Sequence, residues 1–155
     1  MSTSNPESTT PAAIDPYGVI VVGVDGSPTA RIAAERAALI AGLSGTRLHL
    51  VCSLKSGGGE VIQGPGGDTW TDDPYVDARI LLTDIASRWP ALETTVAAVP
   101  GKPADALVDQ ANELGASLIV VGNRRMHGIG RLLGAIANDV AHQATCDVLI
   151  VNTTR

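Results

Sequence analysis

The sequence predicts a doubly wound α/β fold, in which a five-stranded parallel sheet carries helices on both faces. Short continuous runs of apolar residues recur along the chain, which is typical of strands covered on both sides. Segments with helical spacing of apolar residues alternate with these runs, which indicates parallel strands joined by right-handed helical crossovers. The chain has 155 residues, enough for one domain with a buried core.

The first predicted unit is a strand, a helix and a second strand. The run GVIVVGV at 18–24 predicts the first strand. Ser27 and Pro28 predict the helix start, because serine caps helix N-termini and proline suits the first turn. The helix is expected to continue to about Leu43, and RLHLVCSL at 47–54 predicts the second strand. The residues expected to cover the sheet are the alanines of this helix with Ile32, Leu39 and Ile40.

Residues 55–74 contain GGG, GPGG and TDDP in succession, so a mobile, glycine-rich loop without a packed element is predicted there. A helix over about Tyr75–Trp89 follows, and Pro90 stops it. The Thr- and Val-rich segment Glu93–Val99 predicts a peripheral strand. The next helix begins after Pro103 and ends at Gly115. Its expected inward residues are Ala104, Leu107, Val108, Ala111 and Leu114.

The last predicted unit surrounds a glycine- and arginine-rich loop. SLIVV at 117–121 predicts the fourth strand, and DVLIV at 147–151 predicts the fifth. Between them, the loop that follows Gly122 leads into a helix whose apolar residues repeat at helical spacing. The residues of this apolar stripe are Leu133, Ile136, Ala137, Val140, Ala141 and Ala144.

Composition excludes several classes of protein. The net charge of −5 argues against general nucleic-acid binding, which needs a basic face, and no apolar run approaches transmembrane length.

Residues 1–16 are polar and Pro-rich, so they predict a disordered tail rather than a secretory signal, before a single domain over 17–155. Cys52 and Cys146 show no metal or disulfide spacing, so reduced thiols in a cytoplasmic protein are expected.

Two loops at strand carboxyl ends form the candidate ligand site. Asp25 begins the loop after the first strand, and Gly122 begins the loop after the fourth. In doubly wound sheets ligands bind beyond these ends, where the winding direction reverses. A carboxylate suited to a ribose hydroxyl would then face a cationic, glycine-rich phosphate loop. The alternatives are a turn or capping role for Asp25 and a tight connection with solvated arginines.

Known nucleotide fingerprints and catalytic constellations are missing from the chain. There is no G-x-G-x-x-G after the first strand and no G-x-x-x-x-G-K-[ST]. No Ser, His and Asp lie in a nucleophile-elbow context, and His127 has no orienting carboxylate nearby in sequence. We therefore predict no catalytic residues, no metal ligands and no enzymatic activity.

Three segments together resemble the universal stress protein family. They are DGSPTARIAAERAALIAG, GKPADALVDQANELGASLIVVGNRR and RLLGAIANDVAHQATCDVLIV, and the resemblance spans Gly18 to Thr153. It implies a Rossmann-like fold and a role in stress response. Members that bind ATP have a loop of glycine, two residues, glycine, nine residues, then glycine followed by Ser or Thr.

This chain departs from that loop at several positions. Gly122 matches its first glycine and Gly134 its last, but Arg125 stands at the second glycine and the spacer is one residue short. Ala135 replaces the hydroxyl residue. Arg125 would either block the backbone's approach to phosphate or bind phosphate through its charged fork. The family's first-strand aspartate is matched by Asp25.

The resemblance thus implies an adenine nucleotide as cofactor, either ATP, AMP or cyclic AMP, with Mg²⁺ accompanying ATP. The implied binding residues are Asp25, Gly26, Ser53, Gly122, Arg124, Arg125, Gly128, Gly134, Ala135 and Ile136. The alternative is a nucleotide-independent interaction protein that forms a homodimer through the last strand, at 147–151. A nucleotide-hydrolysing enzyme is the third interpretation, and it is disfavoured because no general base is placed.

Overall fold

A computed structural model describes residues 18–55, 61–71, 73–123 and 133–153. Its strands are β1 (Val19–Gly23), β2 (Arg47–Leu54), β3 (Val61–Gln63), β4 (Thr69–Thr71), β5 (Thr94–Pro100), β6 (Leu118–Asn123) and β7 (Asp147–Asn152). Its helices are α1 (Pro28–Ser44), α2 (Pro74–Ala86), α3 (Pro103–Leu114) and α4 (Ala135–Gln143). The predicted disordered tail lies outside the described residues.

The main sheet has five strands in the order β5-β2-β1-β6-β7. Each neighbouring pair is parallel, so the predicted doubly wound α/β fold is confirmed. The chain proceeds outward from β1 to β2 and β5, then returns to the centre and proceeds outward through β6 and β7. The winding direction therefore reverses between β1 and β6, which places a crevice at the carboxyl ends of these two strands.

The core has two layers, one on each face of the sheet. Buried alanines of α1 and the residues Ala78, Leu82 and Ile85 of α2 pack with Ile20 and Val22 on one face. Helices α3 and α4 pack with the alternate β1 residues on the other face. Since strand side chains alternate between faces, this arrangement explains why the central strands are apolar throughout.

Helix ends follow the local chemistry of the sequence. The hydroxyl of Ser27 accepts a hydrogen bond from the Ala30 N–H at 3.1 Å, and Pro28 occupies the first turn of α1. Gly45 ends α1 with a φ of 68°, and Gly115 ends α3 with a φ of 61°. Glycine adopts this left-handed conformation without a steric penalty, so both helices end there.

The prediction that residues 55–74 contain no packed element is wrong for 61–71. The strands β3 and β4 form a short antiparallel hairpin there, with Ile62 opposite Trp70. Its turn is closed by a hydrogen bond from the Gly64 N–H to the Asp68 carbonyl oxygen at 2.8 Å, and Gly67 has a φ of 82°. The glycines that were expected to interrupt structure instead form the tight turn that joins two β-prone segments.

Several apolar residues predicted to face inward are exposed. Leu39 is 57% exposed and Ile136 is 45% exposed, and Leu114, Leu133 and Ala141 also lie at the surface. The buried residues of α1 are all alanines, and Leu39 is not among them. Helix α4 begins only at Ala135, and its buried residues are Ala137 and Val140. Fewer residues of this apolar stripe are therefore buried than the sequence pattern predicts.

Three further features of the fold concern the end of α2, the position of β5 and the length of the helices. Helix α2 ends at Ala86, before the predicted end at Trp89, and its last turn is closed by the Ser87 N–H. The peripheral position predicted for β5 is confirmed, since β5 pairs only with β2 at one edge of the sheet. Among the helices that the structure describes, none has the length and apolar character needed to cross a membrane.

Candidate functional site

A cavity of about 120 Å³ lies at the point where the winding of the sheet reverses. The carboxyl ends of β1, β2 and β6 form its floor, and the first turns of α1, α3 and α4 form its walls. The lining residues are Gly23, Val24, Asp25, Ser27, Thr29, Ala30, Val51, Ser53, Pro103, Leu107, Val121, Gly122 and Ile136. The two loops identified in the sequence therefore border one cavity.

Glycines at the ends of β1 and β6 allow helices to pack closely against the floor of the cavity. A Cβ atom at Gly122 would lie 2.8 Å from the Thr29 Cγ2 and 2.9 Å from the Thr29 carbonyl oxygen, so a side chain there would collide with backbone. A Cβ atom at Gly23 would lie 3.2 Å from the Leu107 Cδ1. The missing side chains at Gly122 and Gly23 thus let α1 pack closely on β6 and α3 pack closely on β1.

Asp25 has a structural role and remains open to a ligand. Its Oδ1 accepts a hydrogen bond from the Ser27 N–H at 2.9 Å, which fixes the turn into α1 and bears out the turn role considered for it. Gly26 supports this turn with a φ of 81°. The side chain of Asp25 is exposed, and its second oxygen has no hydrogen-bond partner among the described residues. That oxygen is free to accept a bond from a ligand hydroxyl.

Two helix N-termini converge on the cavity. Ser27, Thr29 and Ala30 at the start of α1 line it, and Ile136 in the first turn of α4 lines it from the other side. In the described part of the chain, the N–H groups of Ala135, Ile136 and Ala137 have no hydrogen-bond partner. Unpaired N–H groups and the positive end of the helix dipole together favour an anion.

Asn123 holds the two ends of the connection between β6 and α4 together. The Gly134 N–H donates to the Asn123 Oδ1 at 2.9 Å, and the Thr153 hydroxyl donates to the Asn123 carbonyl oxygen at 2.7 Å. The N–H of Gly134, which was expected to meet phosphate, is thus already engaged. The sequence reasoning missed Asn123, although an amide side chain next to a strand end is a common partner for a free helix N–H.

Four of the residues predicted for the site line the same cavity: Asp25, Ser53, Gly122 and Ile136. Gly26 and Ala135 are adjacent in sequence to lining residues, and neither they nor Gly134 line the cavity themselves. Arg124, Arg125 and Gly128 lie outside the described residues, so their predicted roles stay predictions. The lining residues missed from sequence include Thr29 and Leu107, both of which lie on helices and not on strand ends.

Strand β2 has two buried titratable side chains, Cys52 and His49. Burial raises the pKa of the Cys52 thiol, and the nearby Asp25 carboxylate raises it further, so this thiol is a poor nucleophile at neutral pH. His49 is buried, and its two ring nitrogens contact the Thr95 hydroxyl at 2.6 Å and the Gln110 Oε1 at 2.8 Å. Within 18–55, 61–71, 73–123 and 133–153, no cluster of three His, Cys, Asp or Glu residues could hold a metal ion.

A doubly wound parallel sheet with a cavity at its reversal point defines a Rossmann-like α/β protein, and comparison with known proteins gives the family. The model of the universal stress protein family matches residues 16–152. Universal stress protein Rv1636 of Mycobacterium tuberculosis is 33% identical over 143 residues, which cover 89% of this chain and 98% of the relative. Universal stress protein A homolog 1 of Coxiella burnetii is 30% identical over 139 residues, covering 87% and 96%. The chain belongs to the universal stress protein family.

Solved structures of related proteins share the fold, and two of them contain nucleotides. A universal stress protein in complex with cAMP matches with a TM-score of 0.67 and 36% identity, covering 89% of this chain and 99% of that one. The universal stress protein of Archaeoglobus fulgidus in complex with dAMP matches with a TM-score of 0.64 and 29% identity, covering 86% and 97%. Small adenine nucleotides are therefore ligands of relatives that are similar along nearly their whole length.

Proposed function

We propose that this chain is a stress-response module that binds a small adenine nucleotide in the cavity between β1 and β6. The observation that carries the proposal is the convergence of Asp25 and the first turns of α1 and α4 on one cavity. A nucleotide needs an acceptor for its ribose hydroxyls and donors for its phosphate, and both kinds of group border that cavity. The cAMP and dAMP bound by the two relatives support the same ligand class.

In this proposal each part of the nucleotide has its own contacts. Asp25 accepts from a ribose hydroxyl, and Ser53 lies towards the base at the end of β2. The phosphate lies beside Gly122 and accepts hydrogen bonds from the N–H groups at the start of α4. Arg124 and Arg125 supply positive charge. Because cAMP and dAMP each have one phosphate, we favour a nucleoside monophosphate over ATP. ATP would bring Mg²⁺, held mainly by its own phosphates.

The cavity enclosed by the described residues is smaller than the bound molecule. Its volume of about 120 Å³ lies below the ~300–1,000 Å³ of pockets that enclose whole small ligands. A nucleotide would therefore place one part in the cavity and extend past Gly122 and Ile136. We keep Arg124, Arg125 and Gly128 in the proposed site because they lie between these two residues in the sequence.

Calorimetric titration with AMP, cAMP and ATP tests the proposal, with GMP as a control for the base. We expect AMP or cAMP to bind, GMP to bind more weakly, and Asp25→Asn to weaken binding about 10- to 100-fold, because a hydrogen bond to a charged group is lost. Asparagine keeps an oxygen for the Ser27 N–H, so the turn is preserved. Absence of heat for all adenine nucleotides at millimolar concentration would rule out the proposed function.

We propose binding and not catalysis as the activity of the site. The polar groups that line the cavity are one carboxylate and three hydroxyls, and the carboxylate already accepts the Ser27 N–H. In the part of the chain that the structure describes, none of them is paired with a histidine or a second carboxylate that would act as a general base. The free, partly or fully buried thiols of Cys52 and Cys146 suit a reducing compartment, and we place the protein in the cytoplasm.

The alternative function is a homodimer that engages other proteins without a nucleotide. Strand β7 is the outer strand of the sheet next to β6, and its residues Val148, Leu149 and Ile150 are only partly buried. An apolar edge strand of this kind favours pairing with another strand. A homodimer through β7 is also compatible with nucleotide binding, because the cavity lies at the carboxyl ends of the strands.

Val148→Lys is expected to convert such a dimer to a monomer, since a charge on the apolar edge opposes pairing. The matched control is Val96→Lys on β5, an exposed position at the opposite edge of the sheet, which should leave the dimer intact. Sedimentation equilibrium of both variants measures the outcome. A dimer that survives Val148→Lys, or one that Val96→Lys disrupts instead, would refute pairing through β7.

A further inference from the structure

The start of helix α4 offers a phosphate only backbone donors. Its N-terminal residues are Gly134 and Ala135, neither of which has a hydroxyl, and no side chain of its own first turn caps it. The start of helix α1, in contrast, carries the hydroxyls of Ser27 and Thr29, and both residues line the cavity. We propose that Thr29 donates its hydroxyl to the phosphate of the bound nucleotide, an inference that rests on the proposed function.

Thr29 lies at the phosphate end of the cavity. Its side chain packs directly over Gly122, where a Cβ atom would be only 2.8 Å from the Thr29 Cγ2. Gly122 is the last floor residue before the connection to α4, on the opposite side of the cavity from Ser53 and Val51. A group held against Gly122 is therefore adjacent to the phosphate and remote from the base.

The Thr29 hydroxyl is available for a ligand. In the part of the chain that the structure describes, its oxygen has no hydrogen-bond partner, although the residue is partly buried. Ser27 differs, because its oxygen accepts the Ala30 N–H and so is fixed as the helix cap. Thr94 Oγ1 is the one buried side-chain oxygen without a partner among the described residues, so the Thr29 oxygen reaches solvent in the cavity, where a phosphate oxygen can replace water as its acceptor.

The position of Thr29 in α1 strengthens the interaction. It is the second residue of that helix, so its hydroxyl and its own N–H lie at the positive end of the helix dipole. A phosphate that accepts from Thr29 would lie between the first turns of α1 and α4, which both border the cavity. The phosphate is then anchored from the α1 side, and Ala135 leaves no hydroxyl contact on the α4 side.

The test compares AMP with adenosine in calorimetric titrations of the full chain. Thr29→Val preserves the packing over Gly122 and removes the hydroxyl, so AMP affinity should fall about 10- to 100-fold while adenosine affinity changes less than about twofold. Thr29→Ser retains the hydroxyl and should keep AMP affinity close to that of the wild type. Ala135→Ser should restore AMP binding to the Thr29→Val variant and add little to the wild type.

Each outcome separates the inference from the proposed function. If Thr29→Val weakens AMP and adenosine equally, or leaves AMP affinity unchanged, the hydroxyl does not bind phosphate and the inference fails while nucleotide binding stands. If the wild type binds neither ligand, the proposed function fails and the inference with it. Thermal unfolding of each variant checks the fold. If Thr29→Val does not fold, the AMP affinity of the single variant Ala135→Ser is compared with that of the wild type. A small change is expected because Thr29 already binds the phosphate, and a large gain in AMP affinity overturns the inference.

Discussion

Replacing Gly122 with alanine is expected to lower the free energy of unfolding by about 1–3 kcal/mol, as overpacking of a close-packed site does. The new Cβ atom would lie 2.8 Å from the Thr29 Cγ2, 2.9 Å from the Thr29 carbonyl oxygen and 3.3 Å from the Thr153 Cγ2. One of these atoms belongs to the backbone, so the first turn of α1 must shift away from β6. That shift would also open the cavity and weaken AMP binding.

Urea denaturation and calorimetry measure the two effects of this change. The matched control is Gly42→Ala in α1, where the nearest atom to the new Cβ would be the Leu92 Cδ2 at 3.7 Å. Alanine favours helix over glycine by about 0.5–1 kcal/mol, so this variant should be more stable than the wild type. If Gly122→Ala folds with unchanged stability and unchanged AMP affinity, the close approach of α1 to β6 is wrong.

Replacing Leu82 with alanine is expected to lower the free energy of unfolding by about 2–5 kcal/mol, the usual range for truncation of a buried leucine. Leu82 is fully buried, on the face of α2 that covers the sheet next to β2 and β5. Truncation would remove apolar contacts and leave a cavity beneath α2 that its neighbours cannot fill without moving. A lower urea midpoint with an unchanged slope is the expected signature.

The control for this change is Leu43→Ala in α1, which makes the same truncation at a side chain that is 81% exposed. Its effect should stay within about 0.5 kcal/mol, because little buried surface is lost. Similar losses from both variants would mean that α2 does not cover the sheet through Leu82. A loss from Leu43→Ala alone would show that α1 buries a different face.

The fold followed from the sequence because its signals are local and agree with one another. Apolar runs marked the strands, and Ser27, Pro28, Gly45 and Gly115 marked helix ends through capping chemistry that depends on only a few neighbours. The exposure of Ile136 was not predictable in this way. It depends on where α4 begins and on how the helix is rotated against the sheet, and both are set by tertiary packing.

The candidate site was predictable where it is formed by strand ends. Asp25 and Gly122 come directly after apolar runs, so their place at the carboxyl edge followed from the topology, whereas Ser53 near the end of β2 was expected from the resemblance to the family. The contact between Asn123 and Gly134 and the packing of Thr29 on Gly122 could not be read from the sequence. They join residues that are distant along the chain, and they depend on distances that only the folded backbone determines.

Amide NMR spectra recorded during titration with AMP show directly whether the cavity between β1 and β6 binds an adenine nucleotide. We expect saturable shifts at Gly23, Asp25, Ser53, Gly122 and Ile136, which line the cavity. We expect little change in β5 residues such as Thr95 and Val96, at the edge of the sheet. Spectra that do not change at millimolar AMP, or shifts confined to residues outside the cavity, would contradict binding in this cavity.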